Sequence, residues 1–269
     1  MWSWRAVVDQ VYARKLQAAT FVRKSRLIVG LDIVSQMHGK NRKEQKAEKD
    51  RVEQEALDIV KATAEHAIAF KINRQLVLPL GLFDRIPRIV EAIHDEGLTA
   101  IMDCKINDIG NTNAHIARYY FDAGFDALIV NPFVGWEDGM DSVFEIARNR
   151  QRGLITLCYM SHPGASEGYG LEINLDKKTR EPLYLSFARR ANRWGSDGVI
   201  VGATFPEKIE EVRKVLNSEI PILSPGVGAQ GGAAKEAIEA GASYVIVARS
   251  IVNADHPGSV AASIAAETQ

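Results

Sequence analysis

Eight short apolar runs, each followed by a longer charged or amphipathic stretch, constrain this chain more than any other feature of its sequence. They occupy residues 26–33 (RLIVGLDI), 66–73 (HAIAFKIN), 98–105 (LTAIMDCK) and 127–133 (ALIVNPF) in the first half. Residues 153–160 (GLITLCYM), 198–204 (GVIVGAT), 221–227 (PILSPGV) and 244–251 (YVIVARSI) continue the series. A strand whose outer face is covered by helices and whose inner face fills a barrel reads as nearly continuous apolar residues, because neither face meets water. The segments between them, such as 86–96 and 206–216, have the length and apolar spacing of helices. Eight alternations exceed what an open doubly wound sheet usually carries, so the expected fold is α/β, a (β/α)8 TIM barrel in a single domain. A chain of 269 residues, 46% of them hydrophobic, suits one such core.

Two segments exceed the minimal barrel. Residues 1–25 read as an N-terminal helical extension, with helix over 2–24 placed to close the barrel's bottom, and 26–269 as the catalytic barrel. Residues 36–55 (QMHGKNRKEQKAEKDRVEQE) are densely charged, which predicts an exposed loop and a solvated helix start. The 33 basic and 34 acidic residues leave a formal charge of −1, so bulk electrostatics offer no case for nucleic acid or an anionic membrane. Arg5 and Asp9 interrupt the N-terminal apolar residues, and no run approaches the roughly 18 apolar residues of a membrane span. A cytoplasmic protein is expected. Cys104 and Cys158 supply neither a disulfide framework nor a metal cluster.

Barrels of this kind build their sites at the C-terminal ends of the strands. The polar residues that interrupt the apolar runs lie there: Asp32, Lys71, Asp103, Lys105, Ser161, Gln230 and Arg249. Side chains alternate across a strand, so Asp103 and Lys105 should share the inner face while Cys104 points to the helices. Ionised groups in a barrel mouth are costly unless paired. Lys71 on the neighbouring strand and Asp108 in the following loop extend the pair to an alternating Lys71, Asp103, Lys105, Asp108 series. A second unit, Ser224-Pro225-Gly226-Val227-Gly228-Ala229-Gln230-Gly231-Gly232, follows the seventh run, with Arg249 in the eighth. Glycine permits close backbone approach, and the last two loops are where such barrels often hold phosphate on backbone N–H groups, here with an arginine added.

These motifs resemble the orotidine 5′-monophosphate decarboxylase family. The Asp-x-Lys-x-x-Asp-Ile-x-Asn-Thr run at 103–112 is the most specific part of the likeness. Asn131-Pro132-Phe133, Met160-Ser161-His162-Pro163-Gly164 and the 225–232 stretch are similar as well. The resemblance implies decarboxylation of orotidine 5′-monophosphate (OMP) to UMP, without cofactor or metal, in a homodimer with composite sites. It implies that Asp32 and Lys71 contact the ribose, that Asp103 lies beside the substrate carboxylate, and that Lys105 protonates C6. It further implies that Asp108 and Thr112 reach the partner subunit's site, with Ile109 lining its pyrimidine pocket. Ser161 would bond the pyrimidine, while Gln230 and Arg249 hold the phosphate beside Pro225 and Ala248.

Two departures stand out. Gly110 replaces a frequent proline, which should loosen that turn, and Ala248 replaces a frequent glycine. His162 is assigned a structural part only. Related sugar-phosphate enzymes that use Mg²⁺ place an acidic ligand where Lys71 stands, and a cation there would repel the metal. A non-catalytic nucleotide sensor would have no need of the costly charge cluster. Within 269 residues a fused phosphoribosyltransferase is not expected.

Overall fold

The computed structural model describes residues 10–176, 178–228 and 230–269. Eight parallel strands close into a barrel, each apolar run of the sequence supplying one of them. The first five are β1 (Leu27–Gly30), β2 (Ala67–Asn73), β3 (Thr99–Ile106), β4 (Ala127–Val130) and β5 (Gly153–Tyr159). A small antiparallel hairpin follows, β6 (Glu172–Asn174) and β7 (Arg180–Pro182), standing outside the barrel. The barrel resumes with β8 (Gly198–Val201), β9 (Ile222–Pro225) and β10 (Tyr244–Val247), which pairs with β1 to close the ring.

Alternation divides each strand between two cores. Ile28, Ile68, Ile101, Ile129, Ile155, Leu157, Ile200, Leu223 and Ile246 fill the interior. Leu27, Val29, Phe70, Met102, Leu128, Val199 and Val245 pack outward against the helices, and Cys104 joins this outer layer as expected. The helices are α1 (Val11–Arg23), α2 (Arg42–Thr63), α3 (Arg74–Leu80), α4 (Ile86–Asp95), α5 (Gly110–Asp122), α6 (Asp141–Asn149) and α7 (Ala165–Gly168). The remaining ones are α8 (Leu183–Trp194), α9 (Pro206–Val215), α10 (Ala234–Glu239), α11 (Arg249–Val252) and α12 (Pro257–Glu267).

The expected helical extension is α1, with residues 1–9 of that expectation lying outside the described residues. It stoppers the barrel from below. Tyr12 and Leu16 are each 1% exposed and belong to the interior core. Gly153 leaves the space that the Tyr12 ring fills, and the Tyr12 hydroxyl meets Thr99 Oγ1 at 3.2 Å. Asp197 accepts from Tyr12 N at 3.2 Å and Leu154 N at 3.0 Å, and burial pushes its carboxyl up to about 6. Removing so large a buried ring leaves a cavity, so Tyr12→Ala is expected to lower stability by about 3–5 kcal/mol, measured by urea unfolding.

The charged 36–55 segment is mostly exposed, as expected, but Glu48, Val52 and Glu53 turn inward. Asn41 and Glu44 form a reciprocal cap that starts α2. Glu48 is buried, and accepts from Gln36 N at 2.9 Å, Lys40 Nζ at 3.0 Å and Arg51. One glutamate therefore ties the loop after β1 to the helix, an arrangement that charge density alone does not reveal.

Candidate active site

The mouth of the barrel holds a cavity of about 790 Å³, its opening included. Asp32, Lys71, Asn73, Asp103 and Lys105 line one side; Ser161, Pro225, Gln230, Ala248 and Arg249 line the other. Ile129, Leu157, Ile200 and Ile246 form its apolar floor. A site with charge at one end, donors at the other and a dry base suits a small anionic ligand that spans both.

Asp103 lies between the two lysines. Its Oδ2 accepts from Lys71 Nζ at 3.0 Å, and its Oδ1 accepts from Lys105 Nζ. Asp32 Oδ1 stands 3.6 Å from Lys71 Nζ. Burial alone would raise the Asp103 carboxyl, but the two ammonium groups hold it down at about 2. Lys71 is nearly sealed from solvent, which disfavours its charge; Asp103 and Asp32 outweigh that penalty and keep its pKa above the ordinary value. Both partners are therefore charged at neutral pH.

Strand β3 delivers this pair by an irregular route. Its register against β4 jumps from Met102↔Leu128 to Ile106↔Val130, so β3 spends two more residues than its neighbour over the same stretch. Lys105 sits within the jump at φ 49°, a left-handed conformation uncommon outside glycine. Alternation placed Asp103 and Lys105 on one face; the bulge that shapes them there was not legible in β3's own pattern.

The opposite wall is built by close backbone approach. A Cβ on Gly202 would stand 2.5 Å from Ser161 Cα, so only glycine lets β8's end pass beneath Ser161. Gly226, Gly228 and Gly231 have φ of 102°, 74° and 91°, which turns residues 226–228 back toward 230–232. Gly228 N donates to Gly232 O at 2.8 Å, and Gly232 N to Gly226 O at 3.2 Å. Arg249 is exposed at the cavity edge and makes no ion pair among the described residues. The methyl group of Ala248 fits because Gly30 faces it; a Cβ on Gly30 would approach that methyl to 2.8 Å.

Three expected site residues lie away from this cavity. Asp108 and Ile109 are exposed on the turn before α5, and Thr112 is half-buried in its first turn. Asp108 Oδ1 accepts from Ile109 N at 2.8 Å and makes no ion pair with Lys105, so within one chain the charge series ends at Lys105. The turn is braced rather than loosened by Gly110. This residue is buried, and a Cβ there would approach the Asp138 backbone to 3.0 Å. Asn113, fully buried, accepts from Asp108 N at 2.9 Å and donates to Gly139 O at 3.0 Å. His162 is exposed, its carbonyl accepting from Ala165 N at the start of α7.

Asn73 and Met160 also line the cavity and were missed from the sequence. Asn73 could have been found, since it lies two residues beyond Lys71 and thus on the same face of β2.

A closed parallel barrel with a charged cluster at the ends of its second and third strands and a glycine loop after the seventh has the architecture of an α/β-barrel enzyme, whose site is built at the C-terminal ends of the strands. Residues 25–264 match the family described as Orotidine 5'-phosphate decarboxylase / HUMPS, and the chain belongs to that family. It is a carboxy-lyase. It is 42% identical to the orotidine 5'-phosphate decarboxylase of Pyrococcus abyssi over 213 residues, covering 79% of this chain and 92% of that one. The crystal structure of the Pyrococcus horikoshii orotidine 5'-phosphate decarboxylase superposes with a TM-score of 0.69 at 35% identity, covering 90% of this chain and 98% of the other. The Methanocaldococcus jannaschii orotidine 5'-monophosphate decarboxylase, complexed with the inhibitor BMP, gives 0.73 at 27% identity, covering 91% and 99%.

Proposed function

We propose that this chain converts OMP to UMP and CO₂ without a cofactor. The observation that carries the reading is Asp103 held between Lys71 and Lys105 at one end of a cavity whose other end presents Gln230 and Arg249. The nucleotide's phosphate takes the glycine loop, Gln230 and Arg249; the ribose takes Asp32 and Lys71; the pyrimidine lies against Ser161. C6 and its carboxylate then face Asp103 and Lys105.

In the reaction the C6–carboxyl bond breaks, its electron pair stays on C6, and CO₂ leaves. That carbanion is poorly delocalised by the ring, so catalysis depends on stabilising it as it forms. The Lys105 ammonium supplies a fixed positive charge and then transfers its proton to C6, leaving UMP; the amine recovers a proton from water. Asp103 fixes Lys105 and repels the departing carboxylate. Like charges about 4 Å apart repel by roughly 4 kcal/mol at an effective dielectric near 20.

Asp108, Ile109 and Thr112 act in the site of a second subunit. Their exposure on one turn, with Ile109 65% open to solvent, supports a homodimer with composite sites. Residues 26–269 form the catalytic barrel and the preceding helix its lower closure. No described helix is long and apolar enough to cross a membrane; a cytoplasmic role in pyrimidine biosynthesis accords with the substrate.

Loss of OMP absorbance, followed with and without EDTA, tests the reading: full turnover in chelator is expected. A requirement for added Mg²⁺, or turnover of a hexulose phosphate in place of OMP, overturns it. Arg249→Ala is expected to raise KM for OMP by roughly 100-fold through loss of a charge-assisted phosphate contact, and Gln230→Ala by less. Both effects should vanish with a substrate lacking the phosphate.

A further inference from the structure

We propose that Asn73 is a positioning residue that aims the Asp32 carboxylate at the substrate, a role that rests on the decarboxylase reading. Asn73 ends β2 with its backbone in register with Asp103, and its side chain is committed at both ends. The carbonyl Oδ1 accepts from Gln75 N at 3.0 Å, capping α3. The amide Nδ2 donates to Asp32 Oδ1 at 2.7 Å. The cap decides the orientation of the amide: with its oxygen turned to a backbone N–H, its NH₂ must face the carboxylate.

The same Asp32 oxygen stands 3.6 Å from Lys71 Nζ, whereas Lys71 makes its close contact, 3.0 Å, with Asp103. An ammonium between two carboxylates can be drawn to either. By holding Asp32 with a neutral donor, Asn73 keeps that carboxylate from closing on Lys71, so the lysine stays with Asp103 and Asp32 retains acceptor capacity toward the ligand. Helix α3, through the backbone N–H of its second residue, Gln75, thus helps fix a group that follows the neighbouring strand β1.

Asn73→Ser separates the two duties, because serine caps a helix as well as asparagine does but cannot reach Asp32. Its thermal midpoint is expected to stay within about 2 °C of wild type. KM for OMP should rise about tenfold with a smaller change in kcat, as an oriented contact to a charged group is lost. In an Asp32→Ala background the same substitution should change KM by less than about twofold, since nothing remains to be aimed. An unchanged KM in Asn73→Ser, or an undiminished loss in the Asp32→Ala background, overturns the positioning role while leaving the decarboxylase reading intact. An Asp32→Ala enzyme with wild-type KM overturns both the positioning role and the ribose assignment of Asp32. A wild-type chain that does not consume OMP overturns the decarboxylase reading, and the positioning role with it.

Discussion

Lys105→Ala is expected to abolish measurable turnover of OMP. The substitution removes both the cation proposed to stabilise charge on C6 and the proton proposed to quench it, so kcat should fall by at least ~10⁴-fold. Lys105 is 27% exposed and held by Asp103 alone among the described carboxylates. Its loss should therefore leave the barrel folded and the Gln230 and Arg249 wall of the cavity intact. UMP binding within about tenfold of wild type, measured by calorimetry, separates a chemical defect from a structural one. Wild-type-like turnover by this variant would remove the proposed proton donor from the mechanism.

Asp103→Ala should damage both stability and chemistry. Lys71, 7% exposed, then keeps only Asp32 at 3.6 Å, and two ammonium groups face one another without the carboxylate between them. Leaving a buried charge short of its partner costs roughly 3 kcal/mol. A lysine freed from its anchor is misplaced by about an ångström or more, enough for on the order of 100-fold in kcat. The wild-type pH dependence follows from the same ion pairs. The Asp103 carboxyl is held at about 2, below the roughly 3.9 of an unfolded chain. Its contribution to stability is complete above that higher value and is lost as pH falls toward the lower one. Between about pH 4 and pH 2 wild type should therefore lose stability faster than Asp103→Ala. Parallel acid-unfolding curves for the two proteins would contradict this account.

The barrel was legible because all eight strands are apolar on both faces, and the runs at 66–73 and 98–105 match β2 and β3 to within one residue at each end. The cluster is legible because Asp32, Lys71, Asp103 and Lys105 all fall toward the C-terminal ends of their runs. Other features were hidden for physical reasons. The β6–β7 hairpin has three residues per strand within a charged stretch and carries no apolar period. Glu48 looks like one solvated charge among many until the fold folds Gln36, Lys40 and Arg51 around it. The effect of Gly110 was read as looseness from the absence of proline, whereas its lack of a side chain admits the Asp138 backbone, which lies in another loop. No strand's own pattern reports its neighbour's register, so the jump between β3 and β4 could not be foreseen. Asn73 is legible from its spacing alone, two residues beyond Lys71 on the same face of β2.

The backbone of Lys105 carries a last implication. A side chain held at φ 49° is at odds with its own preference by about 1 kcal/mol or more, a tension that glycine or asparagine would relieve. Durability and reactivity thus pull in opposite directions at this one position. A search for hardier variants of the enzyme, conducted without selecting for turnover, should drift away from the very residue proposed as its proton donor.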